Sequence, residues 1–385
     1  MLAPRAVIDF GLSEDQEALQ RAAREFLAAE CPPALVRENA TDGDGIPRSL
    51  YKKMAELGWM GLVVPEAQGG LGLSTVDLAL VLEELGRAVA PGPFLATQLV
   101  IAALLATGSD AQRAAWLPRF LAADAYGTLA FVEGERGLDP AGIGTTAKKT
   151  KDGWILSGTK LFVQDAPGAD VLLVAARTKA GTSERGVSLF LVERGTKGLR
   201  TKAQDGFDLS RRTGEVTLKN ARVPKAALVG REGEGWPILA RLFDLACIGI
   251  AADSLGGAWK AIELAVEYAK MREQFGRKIG SFQAVKHMAA EMVADVEPSR
   301  SLVWYAAYAH DALPRAEASR AAAMAKAALG DVYSRTVRRA VEVHGGIGFT
   351  WEYDLHLWFK RAHVNEVTYG DPVFHRERVA ILDGY

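Results

Sequence analysis

Cysteine is scarce in this chain: Cys31 and Cys247 are the only two among 385 residues. Two thiols far apart cannot make a disulfide framework, so a reducing compartment is expected. The six histidines show no metal-ligand spacing with either cysteine, which argues against a metal site. No stretch reaches the roughly 18 consecutive apolar residues that a membrane span requires. An excess of one charge is also missing, since the formal net charge is −1. The basic pairs Lys148-Lys149, Arg211-Arg212 and Arg338-Arg339 are short and read as solvated faces. Nothing there gives the electrostatic footprint of a nucleic-acid or anionic-membrane binder. The N-terminal run Met1 to Phe10 lacks a long apolar core followed by a cleavage site, so a cytoplasmic protein without a signal peptide is expected.

What is present is periodicity that changes twice. Residues 1–122 read as a helical domain. Ser13-Glu-Asp-Gln16 has capping-box spacing, and Leu19, Ala22, Ala23, Phe26 and Leu27 follow as a helical stripe. Residues 123–233 read as a β domain. Trp154–Val163, Val171–Val174, Val187–Val192 and Gly214–Leu218 are short, β-branched and separated by Gly, Asp and Pro. Residues 234–385 return to helical spacing. Ile248, Ala251, Leu255, Trp259, Ile262, Val266 and Ala269 mark one long helix. A second begins near Phe282, where Pro298 is expected to kink or divide it. A third, alanine-rich helix is expected from Ala316 to His344, ended by Gly345. Alanine-rich faces pack closely, so a four-helix bundle is expected. The fold class is mainly α with a central β domain.

The densest chemistry lies in Tyr268-Ala-Lys-Met-Arg272-Glu-Gln274-Phe275-Gly276, followed by Ile279, Phe282 and Gln283. A cation, amides and ring faces in one short span suit a flat cofactor that carries phosphates. Arg272 also sits where a cation would cap the end of a helix. Val343-His344-Gly345-Gly346-Ile-Gly348-Phe349 follows downstream; it comes after a helix and so does not fit a dinucleotide fingerprint.

These two segments, in this order, resemble the signature of the acyl-CoA dehydrogenase flavoprotein family, and the likeness covers nearly the whole chain. The resemblance implies an N-terminal helical domain, a β-barrel or sheet middle domain and a C-terminal four-helix bundle, assembled as a tetramer. It implies FAD, an acyl-CoA substrate and an electron-transfer flavoprotein as electron acceptor. Residue by residue, it places Arg272 at the FAD pyrophosphate of a neighbouring subunit, where a guanidinium fork suits phosphate oxygens. Gln274, Phe275, Phe282 and Gln283 fall with it in the cofactor motif. Glu342, Gly345 and Gly346 fall at the adenosine end, with Glu342 standing where the family usually has glutamine. Gly158-Thr-Lys-Leu-Phe162-Val163-Gln164-Asp165 resembles the family's flavin-covering segment, with Phe162 over the ring. Phe131-Val132-Glu133 stands where the family commonly has a threonine before the glutamate. Phe207-Asp208-Leu-Ser-Arg211-Arg212 resembles a segment near the CoA channel, which makes Arg211 a candidate substrate contact.

The departure concerns the base. Abstracting a proton α to a thioester carbonyl requires a carboxylate over the substrate. The family supplies a glutamate where Tyr369 stands in Val367-Thr-Tyr-Gly-Asp371-Pro. A few branches place it at the position of Ala246. Asp371 and Asp244 each lie two residues from these places and are the candidate substitutes, with Asp244 also a candidate substrate contact. Three readings therefore stay open. The chain is a competent homotetrameric dehydrogenase with a displaced base; or it is the subunit without the glutamate in a mixed tetramer with a paralogue, resembling the steroid-type branch; or it is a flavin oxidase or monooxygenase on the same fold.

Overall fold

The computed structural model describes residues 11–41, 43–134 and 137–385. Glu135 and Arg136 of the segment after Phe131, and the N-terminal run on which the signal-peptide reading rests, lie outside the described residues.

Six α-helices come first among the described residues: α1 (Glu14–Glu30), α2 (Pro33–Thr41), α3 (Arg48–Glu56), α4 (Thr75–Arg87), α5 (Phe94–Thr107) and α6 (Asp110–Leu121). α1 begins at the expected capping box, in which Ser13 and Gln16 satisfy each other's backbone N–H groups. Ser74 with Asp77 and Ser109 with Gln112 repeat the device at α4 and α6.

The middle strands are β1 (Gly127–Ala130), β2 (Thr146–Lys149), β3 (Gly153–Gln164), β4 (Val171–Arg177), β5 (Val187–Glu193), β6 (Leu199–Gln204), β7 (Thr213–Pro224) and β8 (Leu228–Val229). They form one sheet in the order β6-β7-β3-β2-β4-β5-β8, with β1 parallel to β4. β4 is buried along its whole length. Its side chains alternate between two cores. Val171, Leu173 and Ala175 face the helices, while Leu172, Val174 and Ala176 close the sheet's own core with Trp154 and Phe190.

The last region holds α7 (Gly235–Met271), a small hairpin of β9 (Glu273–Gln274) and β10 (Arg277–Lys278), α8 (Gln283–Ala312), α9 (Arg315–His344), α10 (Leu355–Val367) and α11 (Pro372–Leu382). α7 is the axis of the molecule. Its 37 residues span about 55 Å at the standard helical rise. It is buried on nearly every side, against α4, α5, α8, α9 and α10. α4 reaches it backbone to backbone: a Cβ on Gly256 would lie 1.7 Å from the Glu83 carbonyl oxygen. Pro298 does not divide α8, which runs unbroken from Gln283 to Ala312. α9 ends at Gly345, whose φ of 65° is a conformation glycine adopts readily.

Candidate active site

Two cavities share Leu138 in their walls, and the Thr368–Gly370 turn that joins α10 to α11 lines the first of them. The first has a volume of ≈ 560 Å³. Its walls come from the end of β3 (Phe162, Gln164), the β6–β7 connection (Phe207, Arg211), Val132, Leu138, the end of α10 and Tyr369. A one-residue register shift in β3 between Lys160 and Val163 makes a bulge. Phe162 sits in it at φ 53°, with 61% of its side chain exposed. A bulge re-aims a side chain in this way, and here it sets a ring at the wall of a largely apolar cavity. The second cavity, ≈ 390 Å³, is lined by Phe131, Leu138, Trp236, Phe243, Phe374 and Arg378, among others.

Three rings stand where the cavities meet. Phe131 and Tyr369 stack with centroids 5.8 Å apart and planes at 18°. Phe243 meets both edge-on, at 6.1 Å from Phe131 and 6.3 Å from Tyr369. Tyr369 is held there by its backbone. Its φ is 59°, and its carbonyl accepts a 2.9 Å hydrogen bond from His375 Nε2. The next carbonyl, of Gly370, accepts from Lys326 Nζ at 2.8 Å, and Lys326 also donates to Glu366 O at 3.0 Å. Burial lowers the Lys326 pKa to about 8 and that of His375 to about 3, the latter with help from the Lys326 charge. Burial also pushes the Tyr369 phenol further above its ordinary value. At position 369 the chain therefore presents a protonated phenol.

Neither candidate carboxylate lines either cavity. Asp371 is exposed and caps α11, accepting from Phe374 N at 2.8 Å, and it lines neither cavity. Asp371 is the N-cap of α11, which begins at the next residue, Pro372. Asp244 is fully buried and bound to Ser319 at 2.8 Å, Arg378 at 2.5 Å and Arg315. A carboxylate held by two guanidinium groups and a hydroxyl has no free face for a substrate proton. Ala246 is a core residue of α7.

Arg211 borders the first cavity, where it is an ion-pair partner and not an open cation. It donates to Asp253 at 2.8 Å and to Asn365 at 2.5 Å. Burial lowers its pKa, and the neighbouring Arg361 lowers it further. Arg361 binds Asp208 at 2.5 Å and Asp253 at 2.8 Å. Asn365 donates to Asp253 at 2.7 Å. This buried lattice joins the β6–β7 connection, α7 and α10 and so fixes the cavity floor. Sequence reasoning did not find Asp253, Arg361 or Asn365, whose only sign is polarity inside apolar helical stretches. Beside the lattice, burial raises the Asp165 pKa to about 7, against the lowering effect of Arg211 and Arg361.

The remaining cofactor candidates form a second group, and none of them lines either cavity. Arg272 ends α7, and Gln274 and Phe275 lie on the β9–β10 hairpin. Phe275 is 91% exposed and touches Phe282 edge-on at 6.1 Å. Gln283 and Glu342 are exposed. Among the described residues, the Arg272 guanidinium has no hydrogen-bonding or ionic partner. Tyr268 stacks on His344 at 4.5 Å, which brings the arginine motif and the Gly345-Gly346 turn to the same end of the bundle. A Cβ on Gly345 or Gly346 would meet nothing within 4 Å. An exposed cation, exposed rings and open glycine backbone therefore share one end of the bundle.

The family models for the acyl-CoA dehydrogenase N-terminal, middle and C-terminal domains match residues 13–124, 128–221 and 233–381. An acyl-CoA dehydrogenase of Bacillus subtilis is 32% identical over 93% of this chain and 95% of its own length. A chain from the structure of the electron transferring flavoprotein of Acidaminococcus fermentans superposes with a TM-score of 0.89 at 32% identity, covering 97% of this chain and 98% of that one. The Tcur3481-Tcur3483 steroid ACAD superposes with a TM-score of 0.86 at 32% identity, covering 96% and 98%. This chain belongs to the acyl-CoA dehydrogenase family of FAD flavoproteins.

Proposed function

We propose that this chain works in FAD-dependent α,β-dehydrogenation of an acyl-CoA thioester, as the subunit without a base in a mixed tetramer with a paralogue. The observation that carries this reading is Tyr369. A phenol with a raised pKa occupies the base position, and Asp371 and Asp244 are committed elsewhere. The likeness to the Tcur3481-Tcur3483 steroid ACAD is consistent with a steroid-type substrate for the assembly. The likeness to the Acidaminococcus chain supports an electron-transfer flavoprotein as acceptor.

The residues present fit the cofactor in two places. The first cavity is apolar, bordered by Phe162, and large enough for a fused ring system. The exposed end of the bundle offers Arg272 for phosphate oxygens, Phe275 and Phe282 for ring faces, and open backbone at Gly345-Gly346. FAD supplies the acceptor for the hydride that leaves the substrate β-carbon. This chain's residues do the rest on its side. Arg272 would neutralise phosphate charge on a neighbour's cofactor. Phe162 and Leu138 exclude water from the ring cavity, and the Arg361–Asp253 lattice keeps its floor rigid.

The test begins with the purified chain alone and its visible spectrum. Acyl-CoA thioesters, including one with a steroid side chain, are then added without oxygen. The lone chain is expected to leave any bound flavin oxidised, and co-expression with a glutamate-bearing paralogue is expected to give flavin that bleaches. Bleaching by the lone chain would show a competent dehydrogenase, and peroxide release in air would show an oxidase.

A further inference from the structure

The loss of a base does not by itself block a substrate. Smaller residues at positions 369 and 131 together would leave the two cavities joined, and a thioester could then lie against the flavin side. The chain instead has a ring at 369 and meets it with a second ring at 131. Tyr369 borders the first cavity, while its two ring partners, Phe131 and Phe243, border the second. Leu138 borders both. Phe131, Phe243 and Tyr369 are all buried, and each touches the other two. His375 stacks on Phe243 at 6.0 Å and Phe374 meets it edge-on at 6.5 Å, so the cluster is backed from α11.

We infer that Phe131, with Phe243 and Tyr369, forms an aromatic partition that keeps an acyl chain in the second cavity out of the first. The inference rests on the proposed function for its substrate class. Hydride transfer needs reacting atoms about 3–3.5 Å apart. A pair of stacked rings between two ligands does not allow that approach. Phe131 is thus a specificity-determining residue in its own right. Replacing Tyr369 by glutamate would remove one ring and leave Phe131 edge-on against Phe243. The new carboxylate would then face two apolar rings, where desolvation disfavours its charged form. The second cavity stays open to a thioester arm and a short acyl group, with an apolar wall and a limited depth.

The experiment has two arms, both on the full-length chain. The first measures binding by calorimetry without added FAD, using straight-chain thioesters from butyryl-CoA to lauroyl-CoA. With the natural chain, affinity is expected to stop rising once the acyl group fills the cavity. With Phe131→Ala the rise is expected to continue, by about fourfold for each added methylene. Phe131→Val is the milder variant should Phe131→Ala fail to fold, with the same trend expected. An affinity series that climbs without a plateau in the natural chain, or one unchanged by both variants, overturns the partition. The second arm uses FAD-loaded protein and anaerobic bleaching. Tyr369→Glu alone is expected to leave the flavin oxidised, and Tyr369→Glu with Phe131→Val to bleach it. Bleaching by Tyr369→Glu alone overturns the partition and leaves the proposed function standing. Bleaching by the unaltered chain overturns the proposed function as well.

Discussion

Asp165 offers a direct check on the electrostatics of the cavity floor. Its carboxyl is 4% exposed, and its Oδ1 has no hydrogen-bond partner among the described residues. Burial is the largest influence on it and raises its pKa from 3.8 to about 7, while Arg211 and Arg361 oppose the rise and Asp208 adds to it. The sign follows from linkage. The folded value lies above the unfolded one, so the group's contribution to stability is fully present below pH ~4. That contribution is lost as pH rises through about 7, because the folded state resists giving up the proton. A rise from 3.8 to about 7 corresponds to about 4 kcal/mol, at roughly 1.4 kcal/mol for each tenfold change in proton affinity.

Asp165→Asn removes the titration and keeps the shape. The right quantity is the difference in unfolding free energy between the variant and the natural chain, measured by chemical denaturation at matched pH. Glu83 also has a pKa raised to about 7 by burial, so the natural chain's own profile cannot isolate position 165. The difference can, because Glu83 titrates in both proteins. It is expected to grow in favour of Asn between pH 4 and 8, by up to about 4 kcal/mol. A difference that stays flat within about 0.5 kcal/mol over that range would refute the claim that a buried, protonated carboxyl sits beside this lattice.

Gly256→Ala is expected to destabilise the chain by about 3 kcal/mol or more, because its Cβ would lie on the Glu83 carbonyl; thermal melting of the purified variant checks this. Gly346→Ala meets open space and is expected to leave stability within about 0.5 kcal/mol. It should nevertheless lower FAD retention on a desalting column if this backbone approaches a cofactor. Arg361→Met leaves Asp208 and part of Asp253 without their buried partner and is expected to cost about 3–5 kcal/mol in a denaturation experiment.

Elements with a strong local period were legible. The strands at Trp154, Val171, Val187 and Gly214 carry β-branched runs, and the end of α9 carries its glycine. β6 was not legible, because Leu199-Arg-Thr-Lys-Ala-Gln204 lies at the edge of the sheet and is largely exposed, with no apolar face to declare it. β1 is four residues long and fully buried, too short to show alternation. Pro298 misled in the other direction. One missing N–H did not break a helix that packs against both α7 and α9. At the candidate site, Arg272 and Phe162 drew notice in the sequence because each lies within a local motif. The lattice of Arg211, Asp253, Arg361 and Asn365 was not, since its members come from separate elements that only the fold brings together. The packing of the rings at 131, 243 and 369 against one another was hidden for the same reason.

The turn that carries Tyr369 shows what has been kept and what has changed. A tyrosine at φ 59° is held in a region that L-residues populate sparsely, and Gly370 follows at φ 98°. Nothing about a phenol calls for that backbone, so the conformation is imposed by its surroundings. Lys326 and His375 impose it by donating to the carbonyls of Gly370 and Tyr369, and a Cβ at Gly370 would collide with Phe374. These contacts are made by main-chain atoms of the turn and do not depend on which side chain stands at 369. The fold therefore delivers whatever residue occupies that position to the boundary between the two cavities. In this chain the delivered group is an aromatic ring, and Phe131 supplies the face it stacks on. Loss of a base alone would not require an aromatic partner at 131. The pairing is therefore better explained by closure of the passage than by decay of a catalytic site.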